Sequence, residues 1–229
     1  MKKHNLYAKL LKLTVAASLA IGVSFATAPI NSEAKEKSFS DVSVDQHFYE
    51  SVTSLSSRGI INGYEDGSFR PGKNISRAHA AKIISLALDL DTVNVKNPGF
   101  TDVPKSHPYY GHIAALVNAG IIKGYDNNTF KPTANLTRAH IAQILVLGFD
   151  MEKQKLSNLP FKDINNKQWY ADYIQTLYSN EITTGKTATT FEANSFVTRG
   201  QVASFIYRSE LATNQNPGNG EDFEIIGVD

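Results

Sequence analysis

The amino-acid sequence predicts an all-α fold, mostly helical, in which one helix–loop–helix unit is written three times. Three observations carry that prediction. A capped helix start, Ile75-Ser76-Arg77-Ala78-His79, returns as Leu136-Thr137-Arg138-Ala139-His140 and Val197-Thr198-Arg199-Gly200-Gln201, displaced by 61 residues each time. A second block, Phe39-Ser40-Asp41-Val42, returns at the same interval as Phe100-Thr101-Asp102-Val103 and Phe161-Lys162-Asp163-Ile164. Between the two blocks, apolar residues recur at spacings of four and three, the period of a helix and not of a strand.

The chain opens with Met1-Lys2-Lys3, further lysines at 9 and 12, and a largely apolar run from Leu10 to Phe25. That run is short for a membrane span and is followed by small residues, so residues 1–34 read as a secretory signal peptide cleaved after Ala34. Cleavage would take the formal charge from +1 to about −2. Such a balance suggests neither nucleic acid nor, after cleavage, a membrane surface as partner. With no cysteine in the chain, disulfides, thiol catalysis and zinc–thiolate sites are excluded.

The repeats are expected at 38–98, 99–159 and 160–212, with a flexible tail at 213–229 that is poor in apolar residues. In each, the first helix carries one apolar stripe: Phe48, Val52 and Leu55, then Tyr109, Ile113 and Leu116, then Tyr170, Ile174 and Leu177. Gly59 and Gly120 stand where a helix C-cap is wanted, with Glu181 in the third copy. A turn-rich loop follows, Gly63-Tyr64 in repeat one and Gly124-Tyr125 in repeat two. In repeat three only Gly185 and Phe191 survive clearly, and Lys186 replaces the tyrosine. Ser76, Thr137 and Thr198 then cap the second helix. Neither helix can bury its stripe alone, so the repeats must pack on one another.

Taken together, Phe-x-Asp-Val, the aromatic-led helix, the Gly-Tyr loop and the Ser/Thr-Arg-Ala start resemble the S-layer homology domain, over residues 39 to about 208. The resemblance implies a pseudo-three-fold assembly around a central three-helix bundle. It also implies non-covalent anchoring to secondary cell-wall polysaccharide of a Gram-positive-type wall. The ligand would be a pyruvylated N-acetylmannosamine unit held in grooves between repeats, and an S-layer or other surface protein is a further partner to expect. Two departures stand out. The family's glutamate after Arg-Ala is His79, His140 and Gln201 here, and its tryptophan survives only as Trp169, with His47 and Pro108 in the matching positions.

Against that background the residues acquire chemistry. A cation in the first turn of a helix opposes the macrodipole, so Arg77, Arg138 and Arg199 must each meet something negative. One candidate is the ketal carboxylate, which a guanidinium grips with two parallel N–H bonds beside free helix N–H groups. The other is an internal pair with Asp41, Asp102 and Asp163. These aspartates are candidates both for glycan contact and for a capping role. Gly63, Gly124 and Gly185 would let backbone approach the ligand, while Tyr64, Tyr125 and Trp169 offer flat faces to a sugar ring. If each arginine serves the loop of its own repeat, sites on Arg77 and Arg138 should outperform one on Arg199. Six histidines invite a metal, but the two that share a register lack a third ligand, and no metal or cofactor is expected. No Gly-x-Ser-x-Gly, His-Glu-x-x-His or phosphate loop is present, so no catalytic residue is assigned and the chain is expected not to be an enzyme. A surface adhesive that recruits a protein, or a wall hydrolase, are the alternative functions.

Overall fold

The computed structural model describes residues 38–213. The expected leader lies outside the described residues, as does the expected tail apart from Thr213, which ends the last helix. Six helices follow in order: α1 (Tyr49–Ser57), α2 (Arg77–Ala87), α3 (Tyr110–Asn118), α4 (Arg138–Gly148), α5 (Ala171–Ser179) and α6 (Arg199–Ala212). Among the described residues there is no strand, only isolated bridges between extended segments.

Helix ends follow the local chemistry. The hydroxyls of Ser76, Thr137 and Thr198 accept from the backbone N–H of His79, His140 and Gln201, three residues on, at 3.3, 3.3 and 3.4 Å. At Thr198 the Gln201 side chain answers by accepting from the cap's own N–H, closing a capping box. The two histidines differ: each ring meets the cap hydroxyl instead. The outer helices α1, α3 and α5 end on Gly59, Gly120 and Glu181, all left-handed, so that Ile60, Ile121 and Ile182 donate to the carbonyls of Leu55, Leu116 and Leu177. Glu181 carries a side chain in that conformation, at a cost of about 1 kcal/mol.

The residues just before the caps tie the three repeats together. Ile75 donates to Val197 at 3.1 Å, Leu136 to Ile75 at 3.0 Å and Val197 to Leu136 at 2.9 Å, a closed ring of backbone hydrogen bonds. Each inner helix is then capped from the next repeat: Arg77 and Ala78 donate to the carbonyls of Ala134 and Pro132, Arg138 and Ala139 to Ser195 and Ala193, Arg199 and Gly200 to Lys73 and Pro71. With the third N–H held by the cap hydroxyl, the first turn of α2, α4 and α6 has no N–H left for a ligand. The expected free helix terminus beside the arginine is therefore absent, because the neighbouring loop fills it.

Packing obeys the same shift by one repeat. The inner helices α2, α4 and α6 form the central bundle, burying the equivalent residues Ile84, Leu145 and Ile206 completely. Each outer helix lies on the inner helix of the preceding repeat: α3 on α2, α5 on α4, and α1 on α6, which closes the ring. That closing seam has polar contacts of its own. Arg58 meets the buried Glu210 through two hydrogen bonds, at 2.6 and 3.1 Å, and Tyr207 donates to Glu50 at 2.6 Å. Burial raises the Glu210 carboxyl pKa, and Arg58 opposes the rise.

Candidate carbohydrate grooves

Each arginine starts an inner helix and is almost completely buried, Arg77 at 4% exposure, Arg138 at 3% and Arg199 at 9%. Burial draws all three guanidinium pKa values down, yet an arginine keeps its charge in a protein. Their Nε atoms donate to the carbonyls of Phe130, Phe191 and Phe69 at 2.9, 2.7 and 2.8 Å. These carbonyls belong to the loop of the following repeat, not of the arginine's own.

The aspartates hold the same loop residues from the other side. Asp102 accepts from the N–H groups of Phe130 and Lys131, both at 2.8 Å; Asp41 does so from Phe69 and Arg70, and Asp163 from Phe191 and Glu192. Arg70, Lys131 and Glu192 are left-handed, and the paired charge-assisted bonds offset the strain of that turn. Among the described residues no ion pair joins these arginines to an aspartate. Both groups instead grip one peptide, the arginine its carbonyl and the aspartate its N–H. Asp41, Asp102 and Asp163 line none of the grooves described below.

The loop glycines also face inward. A methyl group on Gly63, Gly124 or Gly185 would run into the ring of Phe39, Phe100 or Phe161 of the same repeat. Their missing side chains make room for a core phenylalanine, which accounts for glycine there without a ligand.

Two grooves among the described residues combine one of these arginines with the glycine–tyrosine loop of the following repeat, and three repeats contribute to each. The larger, about 610 Å³, has Arg77 of repeat one, the loop with Gly124 and Tyr125 and the helix residues His140 and Gln143 of repeat two, and Trp169 of repeat three. The smaller, about 190 Å³, has Arg199 of repeat three, Gly63, Tyr64, His79 and Lys82 of repeat one, and Tyr109 of repeat two. In both, the guanidinium uses a second N–H on the loop: Arg77 Nη2 to Lys123 O at 3.1 Å, Arg199 Nη2 to Asn62 O at 2.8 Å. Each also lies beside the loop tyrosine, 5.1 Å from the Tyr125 ring centre and 5.2 Å from that of Tyr64. Nη1 of Arg77 and of Arg199 has no acceptor among the described residues.

Arg138 is different. It faces the loop of repeat three, where Lys186 stands in place of tyrosine, and its buried Nη2 has no partner among the described residues. Gly185 is left-handed there, at φ +96°, with its N–H held by Thr183 Oγ1 at 3.1 Å. The altered backbone leaves Arg138 without the loop carbonyl that the other two arginines find. The expectation that an arginine belongs with the loop of its own repeat is thus corrected: the altered loop of repeat three faces Arg138, not Arg199.

Sequence reasoning missed His79, His140 and Tyr109 as groove residues. His140 packs on Trp169, ring centres 5.3 Å apart, and His79 on Tyr109 at 4.9 Å, with His79 Nε2 2.8 Å from the Tyr109 hydroxyl. The available signal was positional: Pro108 matches Trp169, so Tyr109, one residue on, stands in for the missing tryptophan.

The sequence profile of the S-layer homology domain matches residues 38–81, 99–142 and 160–203, more than half of the chain. The chain belongs to the S-layer homology family. It is 32% identical over 213 residues to an S-layer protein of Bacillus thuringiensis subsp. finitimus, an alignment covering 92% of this chain and 25% of that protein. It is 35% identical over 214 residues to the surface-layer 125 kDa protein of Lysinibacillus sphaericus, covering 91% of this chain and 17% of that one. An uncharacterized cell wall amidase of Bacillus anthracis is 31% identical over 202 residues, 87% of this chain and 36% of the amidase. The chain therefore spans about a quarter or less of the surface-layer relatives named here. The same S-layer homology module occurs in proteins with quite different names, so an enzymatic name does not travel with it. Among the described residues no helix is long and apolar enough to cross a membrane, and no cluster of metal-ligating side chains is present.

Proposed function

We propose that this chain is a non-enzymatic anchoring module that holds a protein to the cell wall by binding pyruvylated secondary cell-wall polysaccharide in two inter-repeat grooves. The observation that carries the reading is the matched pair of sites on Arg77 and Arg199. In each, a guanidinium with N–H groups to spare sits at the floor of an open groove, beside a tyrosine face. A ketal carboxylate reaching that floor would meet a permanent charge already oriented by two backbone carbonyls, at little ordering cost. Tyr125 and Trp169 would flank the sugar in the larger groove, and Tyr64 and Tyr109 in the smaller. Asp41, Asp102 and Asp163 contribute by holding the loops in shape. An exported, wall-associated location with mature chain start at Lys35 accompanies this reading.

Calorimetric titration of the full chain with purified wall polysaccharide, native and stripped of its pyruvate ketals, tests it. Saturable binding to the native glycan, lost on stripping and without change in the glycan, is expected. Equal binding to both would refute the carboxylate as the recognised group. Shortening of the glycan would establish a hydrolase.

A further inference from the structure

We propose that His79 and His140 supply a second positive charge to the two grooves, so that an anionic glycan and a proton bind together. The inference rests on the anchoring reading above and adds to it the residues that set ligand charge and pH response.

Both histidines occupy the third position of an inner helix, where the ring turns toward the groove. Their nitrogens are placed to carry a proton without movement of heavy atoms. His140 Nδ1 lies 2.6 Å from the Thr137 hydroxyl, which also accepts from the His140 backbone N–H. A neutral ring can accept the hydroxyl proton, and a charged ring can donate to the same oxygen, with only a hydroxyl rotation between the two states. Its Nε2 has no partner among the described residues, and the ring lines the larger groove together with Arg77 and Trp169. His79 is held at both ends, Nδ1 2.7 Å from Ser76 Oγ and Nε2 2.8 Å from the Tyr109 hydroxyl. When charged it donates to both, leaving the Tyr109 O–H to point at the ligand. A further cavity of about 290 Å³ shares Tyr64, His79 and Arg199 with the smaller groove, so the His79 ring stands at the junction of two open spaces.

The charges around them oppose protonation until an anion arrives. Burial first, then Arg199, Lys73 and Lys82, hold the His79 pKa below its ordinary value; burial and then Arg77 do so for His140. Facing His79 are also the phenols of Tyr109 and Tyr64, while Lys123, Asp126 and the Tyr125 phenol line the groove around His140. Asp126 is the one carboxylate among these groups. A bound ketal carboxylate, ionised above pH ~4, adds a negative charge beside each guanidinium and so raises the histidine pKa relative to the free protein. By linkage, the glycan then binds more tightly as pH falls through the histidine range.

The test is titration of the full chain with ketal-bearing wall polysaccharide from pH 8 to pH 5.5, in two buffers of different ionisation heat so that proton uptake is counted. Wild type is expected to tighten by several-fold to about tenfold, a tenfold change matching a one-unit rise in histidine pKa on binding, and to take up protons. The variant carrying both His79→Gln and His140→Gln should bind with affinity independent of pH. Glutamine is what repeat three already carries at this position, as Gln201, so the helix start tolerates it. Wild-type binding that ignores pH overturns the inference and leaves the anchoring reading standing, as does a variant with the wild-type pH response. Absence of binding to this polysaccharide at every pH overturns the anchoring reading, and the inference with it.

Discussion

The loops of repeats two and three occupy equivalent places in the ring, and each receives an arginine from the repeat before it. Arg77 reaches the repeat-two loop with two hydrogen bonds and sits beside Tyr125. Arg138 reaches the repeat-three loop with one, leaves Nη2 buried and unpaired among the described residues, and finds no tyrosine in that loop. A buried orphan donor of that kind typically costs about 1–3 kcal/mol. The arginine nevertheless persists, because its Nε bond to the Phe191 carbonyl fastens repeat three to repeat two whether or not a groove forms. The comparison separates two duties of one side chain, a structural one shared by all three copies and the proposed binding one, which would need the glycine–tyrosine loop as well.

The largest expected effect follows directly. Replacing Arg77 or Arg199 by alanine should weaken binding to the ketal-bearing polysaccharide by one to two decades, the equivalent of roughly 1.5–3 kcal/mol for a charge-assisted contact. Arg138→Ala should leave affinity nearly unchanged. Thermal melts of the same three proteins should all shift downward, since each loses a carbonyl contact between repeats. Equal affinity losses at all three arginines would erase the distinction drawn here.

How far the sequence reveals this depends on which interactions are local. Ser76, Thr137 and Thr198 act within four residues of themselves, and so were legible as caps; Gly59 and Gly120 were legible for the same reason. A 61-residue repeat identifies equivalent positions but not which copy touches which. Arg138 with the loop at 124–125 and Arg138 with the loop at 185–186 fit the spacing equally well, and only ring closure chooses the second. The packing role of the glycines is hidden for a related reason. Sequence alone displays their missing side chain but not its direction, and Phe39 and Phe100, each 24 residues earlier, claim the space.

A smaller effect should mark the aromatic wall of the larger groove. Trp169 is the sole tryptophan and is 50% exposed, so Trp169→Ala removes ligand contact with little loss of core. A stacking contribution of about 0.5–1.5 kcal/mol predicts an affinity loss of a few-fold, confined to the groove on Arg77. Glycan quenching of tryptophan fluorescence reports the same groove without mutation. Loss of binding in both grooves would mean that Trp169 acts through the fold.

Stability without ligand should move with pH in the opposite sense to binding. His79, His112 and His140 all have folded pKa values held below the ordinary one, chiefly by burial. As pH falls past about 6.5 the unfolded chain takes up protons before the folded chain does, so folded stability declines. Glu210, whose folded pKa is raised, works the other way at lower pH. Melting temperatures between pH 7.5 and 5.5 should therefore fall for the free protein, and fall less for the variant with His79→Gln and His140→Gln. Adding ketal-bearing polysaccharide should reverse the trend.

The smallest expected effect is the most discriminating about why the third loop differs. If the side chain alone disables it, Lys186→Tyr would create a third groove, and the glycan stoichiometry would rise from two per chain to three. The backbone argues against that outcome. Gly185 is left-handed whereas Gly63 and Gly124 are not, and Thr183 holds the Gly185 N–H so that the Arg138 Nη2 remains without a loop carbonyl. A tyrosine placed on that turned backbone does not inherit the position that Tyr125 holds over Arg77. Lys186→Tyr should accordingly leave both stoichiometry and affinity as they are, read by calorimetric titration. A third equivalent of bound glycan would place the whole difference between the loops in one side chain, and would restore Arg138 as a binding residue.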